Sequence, residues 1–306
     1  MIRDRWEGFK NGVDSGPMRQ SSFVMAAAAC VGLLAAPASL VRAQAAGAPP
    51  AAARPTDAEL QAITDGGKRI AAYHEAVARC RAALAQRQPD LGEAPGVMVE
   101  RNGVMHVFLL RREEVGKDTR GLVAVADATW QPRAGEVASL VLLDQSKSPP
   151  ADVIGHLRAL AAARSAAAAR AGGPPAPYDE AVFREKGAVA YVVYLQTRPD
   201  RTDAARFGSD LKLRLSGDGM QVGEMLPLHD ATSLVAVPER PGASPTLHSH
   251  AQGDLPTETD VAVVLDHPAL APHLVLTPRH MFRIESDGRI LWLGPNTVRP
   301  AAPGGP

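Results

Sequence analysis

The chain has 306 residues, with 33 Lys and Arg balanced by 33 Asp and Glu, and a formal net charge of zero. This length predicts two domains, because single domains usually have about 100–200 residues. The balanced charge, with no basic run interleaved with aromatic residues, argues against a nucleic-acid surface. Aromatic residues make up only 4% of the chain, so its core has to be built mainly from aliphatic side chains.

The first 45 residues have the pattern of a secretory signal peptide. An apolar run over 23–41 follows a short polar segment that begins at Met18, and Ala43-Gln44-Ala45 matches a small-x-small cleavage site. The run is about long enough to span a membrane, but the cleavage site favours removal. We therefore expect a periplasmic or secreted mature protein with no stable membrane span. Its single cysteine, Cys80, has no internal disulfide partner.

An α+β domain of unknown role is predicted after the leader. Residues 46–55, rich in Ala, Pro and Gly, are typical of a disordered tether. Apolar residues at helical spacing predict a helix from about Asp57 to Gln88. An Asn102-Gly103 pair between two apolar runs predicts a β-hairpin. Further strands are predicted at 121–126 and 137–143, and a second helix at 151–170.

A second domain is predicted beyond the Ala-, Gly- and Pro-rich stretch 171–177. It begins with a predicted short helix at 178–184 and contains a mixture of strands and one further helix, so the fold class is α+β or α/β, with a mixed β-sheet flanked by helices. The predicted strands are 187–195, 210–215, 234–237, 273–276, 281–285 and 289–293, with a helix at 261–265. The predicted organisation is signal peptide 1–45, tether 46–55, N-terminal domain 56–170, linker 171–177, metal-binding domain 178–297 and tail 298–306.

Two histidines, His248 and His250, give the strongest chemical signal in this sequence. In an extended segment, residues two apart point to the same face, so both imidazoles could bind one ion. Zinc takes two or three such ligands, often with a carboxylate, and Asp260 is the available one. The stretch from Thr257 to Asp260 also has the form of a capping box, which is the commoner meaning of such a pattern. Both roles are compatible, since a cap would hold Asp260 in place.

His248-x-His250, a short loop and Thr257-x-x-Asp260 resemble the motif of JAMM (MPN+) metallopeptidases, in which His-x-His precedes Ser-x-x-Asp. The stretch is also similar to the RadC-type version and to a bacterial domain family of unknown function that is often fused to toxin-like proteins. The resemblance implies a JAMM-like C-terminal domain with zinc bound by the two histidines and Asp260, and Thr257 in place of the assisting serine. Ala251 replaces the family's proline, and the loop 251–256 is shorter than usual.

A zinc hydrolase also needs a general base. In the JAMM family this is an upstream glutamate just before a glycine-containing strand. Glu185 matches that position best and Glu180 is the second candidate, although Gly187 follows Glu185 more closely than in the family. The resemblance thus implies Glu185 as base and Thr257 as a hydrogen-bond donor to the developing oxyanion. The alternative for Glu185 is an ordinary solvated carboxylate.

Two functional interpretations follow from these residues. The first is a secreted zinc-dependent amide hydrolase that cleaves a peptide or isopeptide bond of a peptide or protein substrate in the cell envelope. The second is a JAMM-like domain without activity that serves as an envelope binding or interaction module, which the altered loop and the offset glutamate favour. A nuclease or toxin-like hydrolase is a weaker third. Convergence of Glu185 and the three ligands on one open point would favour the first.

Overall fold

The computed structural model describes most of the chain between residues 53 and 297. The described residues are 53–91, 95–114, 120–131, 135–143, 148–172, 177–185, 190–199, 201, 203–229, 231–240, 242 and 244–297. The predicted signal peptide and tail lie outside them, as do most of the predicted tether and linker. Pro50–Pro306 forms one compact unit. None of the described helices is long and apolar enough to cross a membrane.

The described helices are α1 (Asp57–Arg87), α2 (Ala151–Ala171) and α3 (Glu258–Asp266). The predicted start of α1 is confirmed by a reciprocal cap. Thr56 Oγ1 accepts the Glu59 N–H at 3.2 Å, and the Glu59 carboxylate accepts the Thr56 N–H at 2.8 Å. Such a cap satisfies backbone donors that have no partner within the helix. Single turns of 3-10 helix, Pro89–Leu91 and Pro268–Leu270, lie shortly after α1 and α3.

The first sheet is an antiparallel meander in the order β1-β2-β3-β4. Its strands are β1 (Gly96–Arg101), β2 (Val104–Glu114), β3 (Arg120–Gln131) and β4 (Glu136–Leu142). The predicted hairpin is confirmed, since Asn102 and Gly103 join β1 to β2 with φ angles of 52° and 79°. These are the left-handed values that a two-residue hairpin turn requires, which is why Asn-Gly favours it.

Six strands follow α2: β5 (Tyr178–Arg184), β6 (Ala190–Thr197), β7 (Ala204–Phe207), β8 (Leu211–Ser216), β9 (Val222–Pro227) and β10 (Ser233–Ala236). Four of them form an antiparallel sheet in the order β5-β6-β8-β9, and β7 pairs with β10. The segment 178–184, predicted as a short helix, is therefore a strand. It pairs along its whole length with β6 and buries Ala181, Val182 and Phe183. This sheet pairing overrides the weak local preference of the segment.

The last sheet is mixed, as predicted, and has the order β11-β12-β13-β14. Its strands are β11 (Thr246–Ser249), β12 (His273–Leu276), β13 (His280–Ile284) and β14 (Ile290–Pro295). β11 runs parallel to β12, while the other pairs are antiparallel. The parallel pair has a crossover connection that contains α3, since parallel strands need a long connection. This crossover brings the start of α3 back to β11.

Two buried apolar clusters stabilise the compact unit. The larger one combines residues of α1, β1–β4, α2, β5, β6 and β8 with Ala262 of α3. The smaller one lies around β11–β14 and includes Phe207, Val261 and Phe282. The larger cluster has members on both sides of the predicted linker 171–177, so the predicted domain boundary crosses one continuous core. We therefore expect the two sides to unfold together, because their buried apolar surface is shared.

Helix α3 approaches α1 closely at two glycines. A Cβ atom on Gly67 would lie 2.4 Å from Val261 Cβ and 2.8 Å from the Glu258 backbone oxygen, which is too short for any side chain. A Cβ on Gly66 would meet the Glu258 side chain instead. Glycine in a helix interior costs roughly 1 kcal/mol relative to alanine. The close contact offsets this cost and fixes the helix that bears Asp260 against α1.

Candidate metal centre

Strand β11 presents the two histidines of the His-x-His motif to the interior. His248 and His250 are buried, while the intervening Ser249 and the preceding Leu247 are exposed. The His250 N–H donates to the Leu276 carbonyl at 2.7 Å, which continues the extended conformation beyond the last residue of β11. The prediction that both imidazoles share a face is confirmed, and its cause is the alternation of side chains along an extended strand.

Helix α3 places the carboxylate of Asp260 against these imidazoles. Thr257 is the N-cap, and its hydroxyl accepts the Asp260 N–H at 3.2 Å. In return, Asp260 Oδ2 accepts the Thr257 N–H at 2.7 Å. The predicted capping box is thus present, and it fixes the carboxylate. The same carboxylate also faces His248 and His250. Asp260 therefore belongs both to the cap of α3 and to the cluster that it forms with the histidines.

A third histidine, His229, joins the cluster, and no motif in the sequence predicts it. It follows β9, and its Nε2 lies 2.7 Å from Asp260 Oδ1. The Leu228 N–H donates to the Asp210 carbonyl at 2.9 Å, which fixes the backbone just before it. No spacing rule connects His229 to the His-x-His motif in the sequence. Only the order of the strands brings it there.

The four side chains converge on one small volume. His248 Nε2 and His250 Nε2 are 2.9 Å apart, and each lies 3.2 Å from an Asp260 oxygen. Ligand atoms of all four residues lie within 4.8 Å of one another. A tetrahedral ion with bonds of about 2.0–2.1 Å separates its ligand atoms by about 3.3–3.4 Å. The observed separations fit this requirement after small adjustments, so the cluster could hold a metal ion.

The pKa shifts of Asp260 and His248 favour the binding of a cation. Complete burial alone would raise the pKa of Asp260, but the charges of the three facing histidines and a hydrogen bond with His229 hold it well below its usual range. Burial lowers the pKa of His248, although Asp260 opposes this shift. Metal ligands have to be deprotonated. The lowered pKa values of Asp260 and His248 favour that state for these two groups.

A second buried carboxylate lies behind His229. Asp210 Oδ2 is 3.5 Å from His229 Nδ1, on the side of the ring that faces away from Asp260. Asp210 Oδ1 accepts the Thr197 N–H at 3.0 Å. Burial raises the pKa of Asp210 to about 6. A carboxylate at the far nitrogen of a ligand imidazole commonly orients the ring toward a metal through a hydrogen bond. Here the two atoms are within ion-pair distance but form no hydrogen bond.

His273 of β12 lies behind His248 in a similar position. Its Nε2 is 2.7 Å from His248 Nδ1, and the two rings are tilted by only 19°. The Phe207 ring stacks on both, with centroids 4.2 Å from His248 and 4.5 Å from His273. Burial and the neighbouring His248 lower the pKa of His273 to about 3. Both imidazoles are therefore neutral near pH 7 in a dry, aromatic environment.

The structure does not bring Glu185 to this cluster. Its carboxylate pairs with Arg214 at 3.1 Å and lines a separate cavity of about 320 Å³ with Arg69 and His156. Glu185 directly follows β5, whereas Tyr178, at the other end of β5, pairs with Thr197 beside Asp210. Seven residues of strand at about 3.3 Å each separate these ends by about 23 Å. The geometry therefore opposes the predicted role of Glu185 as base.

The two other predicted catalytic residues have structural partners. Glu180 forms a two-pronged ion pair with Arg164. Thr257 lies beside the cluster, where its hydroxyl caps α3 and is 3.0 Å from Thr259 Oγ1. The structure thus gives Thr257 a capping role next to Asp260.

Comparisons with protein families, curated proteins and solved structures give no match for this chain. The resemblance to JAMM metallopeptidases therefore depends on the motif residues alone. What the structure adds is the convergence of His248, His250 and Asp260, and the fourth side chain, His229.

Proposed function

We propose that the chain is a zinc protein in which His229, His248, His250 and Asp260 form a structural metal centre, and that it serves as a binding module in the cell envelope. One observation carries this proposal: four candidate ligands converge, and their side chains are at most 3% exposed. Structural zinc sites have four protein ligands, whereas catalytic sites have three and keep one position open. The four buried donors favour the structural class.

A zinc ion at this site would link segments that are distant in the sequence. His248 and His250 belong to β11 and the residue after it, Asp260 belongs to α3, and His229 follows β9. A bound ion would offset the cost of burying the carboxylate, which is large for an unpaired charge. Since binding to the folded state alone stabilises it, the free energy of unfolding should rise with zinc concentration.

A zinc-dependent amide hydrolase of JAMM-like type is the second candidate. The convergence of His248, His250 and Asp260 supports it, because the family resemblance implies these three ligands. In such an enzyme zinc would act as a Lewis acid. The position of Glu185 argues against it, because a base has to come within hydrogen-bond reach of the proton it takes.

Elemental analysis and thermal melting of the mature protein test the proposal. We expect about one zinc per chain and a melting temperature that falls when a chelator is added. His229→Ala should lower zinc affinity strongly, while His106→Ala, at a histidine paired with Asp127 outside the cluster, should leave it unchanged. A wild type that binds no zinc and gains no stability from it would overturn the proposal.

An amide hydrolysis assay separates the two candidates. Zinc-dependent cleavage of peptide substrates by the wild type, with His229→Ala retaining both zinc and turnover, would favour the hydrolase. In that case His229 would not be a ligand, and the ion would keep an open position. We expect instead no cleavage by the zinc-loaded protein.

The envelope location follows from the pattern of the first 45 residues and has its own test. Mass spectrometry of the protein from its native host should find an N-terminus near Ala46. An intact leader on cytosolic protein would contradict export without affecting the metal site.

A further inference from the structure

We propose that Thr246 and His273 act as positioning residues that fix the tautomer of His248, so that its Nε2 presents a lone pair to the metal centre. This inference rests on the proposed metal site but makes a separate statement, because the hydrogen bonds concerned lie on the far side of His248. The chain of contacts runs from the Leu270 carbonyl through Thr246 and His273 to His248.

The direction of this chain is set at the Leu270 carbonyl. A backbone carbonyl only accepts, so the Thr246 hydroxyl, 2.6 Å from it, has to donate there. The hydroxyl has one proton, and it therefore has to accept from His273 Nδ1, which is also 2.6 Å away. A neutral imidazole has one N–H and one lone pair. With its proton on Nδ1, His273 offers a lone pair at Nε2.

The consequence reaches the metal centre through one further bond. His248 Nδ1, 2.7 Å from His273 Nε2, has to donate, and His248 then has its lone pair at Nε2. This is the nitrogen that faces His250 and Asp260. The opposite tautomer would place a proton where the ion has to bind, and a lone pair against another lone pair at His273. Each hydrogen bond thus determines the next one.

Strand register and ring packing build this chain into the fold. In the parallel pairing of β11 with β12, Thr246 lies opposite His273. Phe207 covers both imidazoles and keeps them nearly coplanar, which aligns the N–H of His248 with the lone pair of His273. Ligand histidines usually donate their other N–H to a carboxylate, carbonyl or water. Here the neutral imidazole of His273 accepts that N–H. Because His273 can itself adopt two tautomers, Thr246 has to fix which of its nitrogens accepts.

Long-range proton–nitrogen NMR of the imidazole rings tests the proposal directly. In the metal-free protein at mildly alkaline pH, we expect His248 and His273 both to be protonated at Nδ1 and bare at Nε2. This measurement does not require that the protein binds metal, so it separates the tautomer proposal from the proposed function. A proton on His248 Nε2 in the metal-free protein would overturn the tautomer proposal even if zinc binds.

A matched pair of variants at Thr246 tests the effect on binding. Thr246→Val keeps the shape but removes the hydroxyl, whereas Thr246→Ser keeps it. Loss of such supporting hydrogen bonds typically costs about 10–100-fold in metal affinity. We expect a loss of this size for valine, with a mixture of His248 tautomers, and near wild-type affinity and a single tautomer for serine. Equal affinity and one unchanged tautomer in both variants would refute a positioning role, as would a valine variant that only melts earlier.

Discussion

The two ends of this protein use histidine in different ways. Near the first sheet, His106 pairs singly with Asp127 at 3.0 Å, and His156 donates to the Asp152 carbonyl at 2.8 Å. Near the last sheet, three histidines face one carboxylate, Asp260, and two further groups, Asp210 and His273, lie behind them. The first arrangement satisfies each ring locally, whereas the second concentrates donors around one point.

The apolar cores beside the first and the last sheet also differ in how many buried ionisable groups lie next to them. The first sheet packs in the larger apolar cluster, where burial of aliphatic and aromatic side chains supplies the stability. The last sheet packs in the smaller apolar cluster, whose Phe207 stacks on His248 and His273. Buried ionisable groups are costly unless they are paired or bind a metal. The concentration of such groups near the last sheet could therefore hold a metal ion, whereas His106 and Asp127 form an isolated pair.

The largest difference is expected when the carboxylate beside the histidines is removed in each region, Asp260 near the last sheet and Asp127 in the first sheet. Asp260→Ala should abolish high-affinity zinc binding and lower the free energy of unfolding by about 3–5 kcal/mol, because it leaves buried histidines without their partner. It also removes a cap from α3. Asp127→Ala, at a pair that is about a quarter exposed, should cost at most about 1 kcal/mol. Urea unfolding and zinc titration measure both effects. Equal losses in the two variants would break the comparison.

The pH dependence of the free energy of unfolding, measured on metal-free protein in the presence of a chelator, gives a second test. The pKa of His273 is lowered from 6.5 to about 3 by burial, so the folded state opposes its protonation. Above pH 6.5 the His273 ring is neutral in the folded and unfolded states, and the free energy of unfolding has its full value. As pH falls toward the folded pKa, the unfolded state takes up a proton that the folded state does not, and the free energy of unfolding decreases. The expected slope in that window is about 1.4 kcal/mol per pH unit.

The His273→Gln variant is the control for this slope, because glutamine does not titrate. It should lose part of the dependence between about pH 6.5 and pH 3. Asp260 contributes differently, since its lowered pKa keeps it charged to lower pH. If wild type and variant showed the same curve, His273 would not be the group responsible.

The glycine contact between α1 and α3 tests how the two ends are joined. Gly67→Ala should gain about 1 kcal/mol of helix propensity but lose about 1–3 kcal/mol through overpacking against Val261 and the α3 backbone. Gly66→Ala, whose new methyl group meets only the Glu258 side chain, should cost less. Melting temperature and zinc affinity measure both variants. A more stable Gly67→Ala protein would show that the helices can separate without loss.

Local rules predicted much of the fold and part of the site. The Asn102-Gly103 turn, the cap at Thr56 and the alternation that aligns His248 with His250 each depend on residues within a few positions of one another. The cap at Thr257 is equally local, and its carboxylate proved to be shared with the cluster. Such features follow from backbone geometry, which does not depend on the rest of the chain.

The features that were missed depend on distant pairing. Residues 178–184 become β5 because β6 lies beside them, and the short local sequence does not record that neighbour. His229 joins the cluster through strand order, and the same topology places Glu185 at the end of β5 opposite to Tyr178. The structure does bring together His248, His250 and Asp260, which all lie within one strand-loop-helix segment.

The smallest expected effect comes from Glu185→Gln, and it decides whether the cavity around Glu185 belongs to the chemistry of the cluster. Glu185 pairs with Arg214, and the two side chains are 28% and 55% exposed. Loss of such a surface ion pair costs about 0–1 kcal/mol. Zinc content should not change, because about 23 Å of strand separates Glu185 from Thr197 at the Asp210 end. Arg214→Gln, which breaks the same pair from the other side, is the matched control and should behave alike. If the wild type cleaved an amide substrate and only Glu185→Gln abolished turnover while keeping zinc, Glu185 would be the base, and the two regions would have to approach each other during the reaction.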